Sequence, residues 1–198
     1  MCGVIGVKGK VSPDLIKKLF IETQIRGRHA TGVSFWKEGK VHTIKEPVPA
    51  EEFVQMHDSA DWFDGDEITM VGHCRYSTSD LEFNQPIAND KRSVVHNGVI
   101  TQEDPSMWAE MYGYECEGKN DTELLFRSWD AEAWPESSIA AVFLENGDIS
   151  WTRNGKRPLW SAITESATII ASTKDILNRA GIIHGTTRET CSGKDLQP

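Results

Sequence analysis

Positive charge is in short supply: 21 Lys and Arg stand against 30 Asp and Glu, for a formal net charge of -9. A nucleic-acid binder usually carries a basic stripe, and none is visible, so a polyanion is excluded as the main ligand. Cysteine is sparse as well. Cys2, Cys74, Cys116 and Cys191 are widely spaced and form no C-x-x-C pair, which argues against a zinc knuckle or a disulfide framework and fits reduced thiols in a cytoplasmic protein. No stretch approaches the ~18 apolar residues of a membrane helix, and the N-terminus lacks the basic and apolar segments of a secretory signal, so no membrane partner is expected. Internal repeats and long low-complexity tracts are also missing. What 198 residues do supply is enough chain for a substantial core without metal or disulfide staples. Residues 1–198 read as a single domain, with the polar, glycine-containing end from Thr186 to Pro198 expected to be mobile.

Val4 to Val7 is a short β-branched run, and Ser12-Pro13-Asp14 then sets an N-cap with proline at the first helical position before Leu15, Ile16, Leu19, Phe20 and Ile21. Gly32–Trp36 and Lys40–Ile44 flank a hairpin-length turn. Pro49–His57 reads as a short helix, and an acidic loop leads to strands at Ile68–His73 and Ser93–His96, joined by a long connection containing Asn84-Gln85-Pro86. Helices are expected from Asp104-Pro105 to Met111 and from Asn120 to Trp129, then strands at Ile139–Leu144, Ile149–Arg153, Leu159–Ile163 and Ala167–Ala171, and a last helix over Thr173–Ala180. Strands are grouped and joined by short turns, without strict β-α-β alternation. That order predicts an α+β fold with stacked antiparallel sheets.

Cys2 carries the sharpest chemical signal. Removal of Met1 would leave a thiol and a free α-amine on one residue. An α-amine titrates near ~7.7 and can serve as local base for a thiol of reference pKa ~8.5. As a lone cysteine it could equally be a small buried hydrophobe opening a strand.

Four further segments accompany it: Arg26-Gly27-Arg28-His29-Ala30-Thr31-Gly32, Gly72-His73-Cys74-Arg75-Tyr76-Ser77-Thr78, His96-Asn97-Gly98 and Asn120-Asp121-Thr122-Glu123. With Cys2-Gly3 they resemble, in order, the landmarks of the class II, N-terminal-nucleophile (Ntn) glutamine amidotransferases: C-G at the mature terminus, R-G-x-D-S-x-G, G-H-x-R-[YW]-[SA]-T, H-N-G and D-T-E. A weaker likeness continues through Gly155-Lys156-Arg157-Pro158-Leu159 and Ala171-Ser172.

The resemblance implies a four-layer α/β/β/α sandwich that hydrolyses the side-chain amide of glutamine to glutamate and ammonia, with no metal and no organic cofactor. An amide carbon needs a nucleophile, and its tetrahedral intermediate needs donors aimed at the oxyanion. Cys2 matches the first role; the Asn97 side-chain amide and the Gly98 N–H match the second. Asn-Gly is also a common hairpin turn. Glutamine's α-carboxylate suits the planar fork of Arg75 and its α-ammonium suits Asp121. Thr78 matches a substrate-contacting hydroxyl, while Arg26, Gly27 and Tyr76 match supporting positions beside the nucleophile. A Cys-His dyad using His73 or His96 is the rival mechanism.

The chain departs from the family pattern at His29 and Ala30, which replace the aspartate and serine of R-G-x-D-S, at Ser79-Asp80-Leu81-Glu82, and at Gln85, near the usual histidine of an N-x-H-P turn. No ammonia-consuming domain follows before Pro198, so the expected partner is a separate synthetase or transferase chain. A free-standing amidohydrolase acting on a related amide and a non-catalytic module that senses glutamine or docks a partner are the alternatives.

Overall fold

The computed structural model describes residues 1–77, 83–182, 186–190 and 192–194. Among these, twelve strands form two antiparallel sheets. The first has the order β11-β9-β10-β1-β4-β2-β3, from β1 (Gly3–Gly9), β2 (Ala30–Lys37), β3 (Lys40–Glu46), β4 (Ile68–Arg75), β9 (Trp160–Ile163), β10 (Ala167–Ala171) and β11 (Thr186–Glu189). The second has the order β12-β8-β7-β6-β5, from β5 (Ile87–Ala88), β6 (Arg92–Val99), β7 (Ser138–Glu145), β8 (Asp148–Arg153) and β12 (Ser192–Lys194).

Helices cover both outer faces. α1 (Pro13–Thr23) starts at Ser12, whose hydroxyl accepts from Leu15 N, and buries Ile16, Leu19, Phe20 and Thr23, the i, i+3, i+4, i+7 stripe of an amphipathic helix. Together with α2 (Ala50–Met56) and α5 (Lys174–Arg179) it packs on the first sheet around Phe20, Phe53 and Trp62. The Phe20 ring lies 5.9 Å from Phe53 and 5.8 Å from Trp62. α3 (Trp108–Tyr112) and α4 (Thr122–Ser128) cover the second sheet through Trp108, Leu124, Leu125 and Trp134. Between the sheets lie Val4, Val71, Val95, Val142, Leu144, Trp151 and Ile170. The result is the expected four-layer α/β/β/α sandwich.

Several details depart from the sequence reading. The acidic loop carries a 3-10 turn, Ser59–Trp62, that buries Trp62. The helix expected from Asp104 begins as a 3-10 turn, Pro105–Met107, before α3. The polar C-terminal stretch contains two strands: β11 pairs with β9 of the first sheet and β12 with β8 of the second. Between them Thr190 is buried, its N–H donates to Leu159 O at 3.0 Å and its hydroxyl accepts from Trp151 Nε1 at 2.9 Å. Edge strands of this kind have little apolar alternation to reveal them, because tertiary pairing rather than burial of a face holds them.

Candidate active site

The site forms where the ends of β1, β4 and β6 meet. β1 and β4 pair with Gly3 opposite Cys74, so the next step outward sets Cys2 across from Arg75. Ser172, after β10, grips the adjoining residue: its hydroxyl accepts from Val4 N at 2.8 Å and its own N–H donates to Val4 O at 3.2 Å. Arg26, in the 3-10 turn Gln24–Arg26, donates from Nε to Cys2 O at 3.0 Å. Gly27 closes that turn against the Arg75–Tyr76 peptide; a Cβ there would lie 2.2 Å from Arg75 C and 2.3 Å from Tyr76 N, so only glycine permits the approach.

From the opposite sheet, Asn97 reaches Cys2. Cys2 N–H donates to Asn97 Oδ1 at 3.1 Å, which fixes the amide orientation, and Asn97 Nδ2 is left buried without a partner. A buried, unsatisfied donor costs about 1–3 kcal/mol and asks for a ligand acceptor. Gly98 follows at φ +147, and a Cβ on it would sit 1.8 Å from Ser138 O, so this position excludes every side chain. The partner of Gly98 across the β6–β7 ladder, Ile139, exchanges its backbone groups with Asn154 instead: its N–H donates to Asn154 Oδ1 at 3.1 Å and its carbonyl accepts from Asn154 N at 3.1 Å.

The Cys2 sulfur has one hydrogen-bond partner among the described residues, Tyr76 O at 3.8 Å. Burial pushes the thiol pKa up, while the Tyr76 backbone, the chain's terminal charge, Arg75 and Arg26 pull it down. Arg75 is buried and donates from Nη1 to Asn84 Oδ1 at 2.5 Å and to Phe83 O at 3.3 Å. Asp121, at the start of α4, accepts at Oδ2 from Ile100 N at 2.5 Å and Thr101 N at 3.3 Å, which ties α4 to the chain just beyond Gly98. Tyr76 is half exposed, with its ring 5.1 Å from that of His29. Thr78 and the Ser79–Glu82 departure lie outside the described residues.

The two histidines near the motif are structural in their contacts. His96 places Nε2 3.0 Å from Ser138 O, so Nε2 carries the proton, and Nδ1 accepts from the Thr122 hydroxyl at 3.2 Å. Both nitrogens are spent, and burial lowers the pKa. His73 is buried, Nε2 has no partner, and desolvation, followed by Arg75 and His96, drops its pKa to about 3. Neither is bonded to the Cys2 thiol.

The departures from the family pattern have physical roles. Gln85 substitutes for a strand beside β6: its Oε1 accepts from His96 N at 2.6 Å, and its Nε2 donates to His96 O at 3.1 Å and Thr122 Oγ1 at 2.9 Å. His29 Nδ1 accepts from Ser77 N at 2.8 Å, an acceptor role that an aspartate oxygen could also fill. Sequence reasoning assigned no role to Arg157, although the G-x-x-P-L likeness marked its segment; its Nη1 lies 3.8 Å from Met1 Sδ, at the start of the chain. Among the described residues, no group of three or more His, Cys, Asp or Glu could hold a metal ion, and no helix is long and apolar enough to cross a membrane.

No protein-family model matches the chain. No curated protein matches it either. Solved structures do. Glutamine phosphoribosylpyrophosphate amidotransferase from B. subtilis aligns over 98% of this chain and 49% of its own, with a TM-score of 0.76 at 21% identity. An allosteric regulatory enzyme of purine biosynthesis aligns over 96% and 45%, with a TM-score of 0.74 at 20% identity. A glutamine aminotransferase class-II domain protein from Silicibacter pomeroyi covers 98% of both chains, at a TM-score of 0.56 and 12% identity. The chain thus spans about half the length of the first two. Its fold is that of the class II, Ntn-type glutamine amidotransferases.

Proposed function

We propose that this protein hydrolyses the side-chain amide of glutamine, with Cys2 as nucleophile after removal of Met1. The observation that carries the reading is the Cys2–Asn97 contact: one side-chain amide binds the future α-amine through its oxygen at 3.1 Å and keeps its buried NH₂ without a partner among the described residues. In this mechanism the α-amine takes the thiol proton and Cys2 Sγ adds to the amide carbon. The oxyanion is held by Asn97 Nδ2 and the Gly98 N–H. Collapse passes the proton to the leaving nitrogen, releasing ammonia and a γ-glutamyl thioester. Water, deprotonated by the same amine, then frees glutamate and restores the thiol.

Arg75 would receive the substrate α-carboxylate and Asp121 its α-ammonium, with Thr78 as a further contact. Arg26, Gly27 and Tyr76 hold the nucleophile's surroundings. The rival histidine dyad is disfavoured because His96 has both nitrogens engaged and His73 is buried and strongly disposed to neutrality. No metal or organic cofactor enters these steps.

In this reading the ammonia passes to a synthetase or transferase partner; the related amidotransferase is about twice as long as the region it shares with this chain. Ammonia release from glutamine should be lost in Cys2→Ala and in an N-terminally extended form; equal release by all three proteins would sink the mechanism. A gel-filtration shift with a candidate synthetase supports the coupling, and rapid basal release by the isolated chain counts against it.

A further inference from the structure

The ladder between β2 and β4 runs out beside Cys2, and a side chain takes over from it. Ala30 and Arg75 are the outermost residues of the two strands to pair. One step further out, His29 N–H donates to Arg75 O at 3.0 Å. Two residues beyond Arg75, the Ser77 N–H is taken by the His29 ring, whose Nδ1 accepts it at 2.8 Å. An accepting Nδ1 puts the ring proton on Nε2. Between the two held residues stands Tyr76, with its ring 5.1 Å from the imidazole. Gly27 closes on the same stretch, where a Cβ would meet Arg75 C at 2.2 Å. Tyr76 is the residue that touches the thiol: its carbonyl accepts from Cys2 Sγ at 3.8 Å. Burial raises the thiol pKa, and the Tyr76 backbone is the foremost influence lowering it.

We propose that His29 is a positioning residue for the hydrolysis: by holding Ser77, its Nδ1 fixes the Tyr76 backbone against the Cys2 sulfur. The inference rests on the reading of Cys2 as the nucleophile, and it gives a role to a position where the chain departs from R-G-x-D-S. An aspartate there would supply a charged oxygen. The imidazole supplies a neutral acceptor of similar reach, because Nδ1 hangs on Cγ as an Asp or Asn oxygen does. The stretch needs such a hold. Arg75 is fixed by its side chain on Asn84 Oδ1 and Phe83 O and by its carbonyl on His29 N–H, whereas from Tyr76 onward the chain has left the strand. His29 and Tyr76 are both exposed, so their contact can be altered without opening the core. His29 itself touches neither the thiol nor Asn97; its effect travels through the Tyr76 peptide units.

The test uses that reach. His29→Asn keeps an acceptor oxygen on Cγ, His29→Gln moves it one carbon further out, and His29→Ala removes it. Processed protein, verified by intact mass, is assayed for ammonia release from glutamine. The rate at which iodoacetamide alkylates Cys2, read on its N-terminal peptide, is followed from about pH 7.5 to about pH 10. His29→Ala and His29→Gln should each lose about three- to tenfold in kcat/KM. In both, the alkylation midpoint should rise by about half a pH unit, while His29→Asn stays near wild type in rate and midpoint. Melting temperatures should be nearly equal across the series. His29→Gln working as well as His29→Asn, or an unmoved midpoint in His29→Ala, overturns the proposal. So does a parallel fall of melting temperature and activity in all three variants, which would make the residue structural. If His29→Ala does not fold, the contrast between His29→Asn and His29→Gln decides alone. Failure of the nucleophile reading looks different: Cys2→Ala would release ammonia like wild type, while the alkylation midpoints still report whether His29 acts on the sulfur.

Discussion

In the proposed mechanism the two sheets contribute different halves of one reaction. The first brings Cys2, whose carbonyl is held by Arg26, with Val4 two residues on held by Ser172, and sets it across from Arg75. The second brings an Asn97 NH₂ unpaired among the described residues, a glycine backbone that tolerates no side chain, and Asp121 braced on Ile100 and Thr101. The chemistry depends on the apolar layer of Val4, Val71, Val95 and Val142 that registers one sheet on the other, so inter-sheet packing here has a catalytic as well as an energetic role.

Substitutions can separate the halves. Cys2→Ala should have the largest effect, cutting glutamine-dependent ammonia release by about a thousandfold or more while the fold is retained by circular dichroism. Asn97→Ala, on the other sheet, should cost about 100- to 1000-fold in kcat with a smaller change in KM. If KM absorbs the loss instead, Asn97 binds ground-state substrate and the division between sheets is wrong.

Away from the mouth the contrast should reverse. Phe53→Ala, in the cluster under α1 and α2, should lower unfolding free energy by about 3–5 kcal/mol in denaturant titration and leave kcat near wild type below the transition. Acid should act between these extremes. His73 has a folded pKa near 3 against an ordinary 6.5, so the neutral form is favoured by folding. Its contribution is full above pH 6.5 and is lost as pH falls, reaching roughly 2 kcal/mol by pH 5. Removing the titration with His73→Asn should flatten that slope. The smallest expected change is in Gln85→Ala, about 1–3 kcal/mol from the unsatisfied His96 and Thr122 groups, measured as a fall in melting temperature.

Most of the architecture was legible because its signals are local. The Ser12-Pro13 start of α1, the β-branched run of β1 and the apolar run of β7 each follow from residue chemistry over a few positions. The motifs around Cys2, Arg75, Asn97 and Asp121 were visible for the same reason, since each is contiguous. Long-range geometry was not visible. Nothing in Asn84-Gln85-Pro86 says that a glutamine side chain will occupy the place of a missing strand, and nothing in Thr186–Lys194 says that polar residues will pair at two sheet edges. The approach of Arg157 to Met1 was hidden because 156 positions separate the two in sequence.

The last described strands hold a further consequence. β11 belongs to one sheet and β12 to the other, and buried Thr190 is stitched to Leu159 and Trp151 at the crossover. That crossover works as a clasp along the seam of the sandwich. Parting the layers at this rim means unzipping ladders on both sides at once, so amides of β8 and β9 should share one slow opening rate in hydrogen exchange, and a single cut within the clasp should let the two rates drift apart.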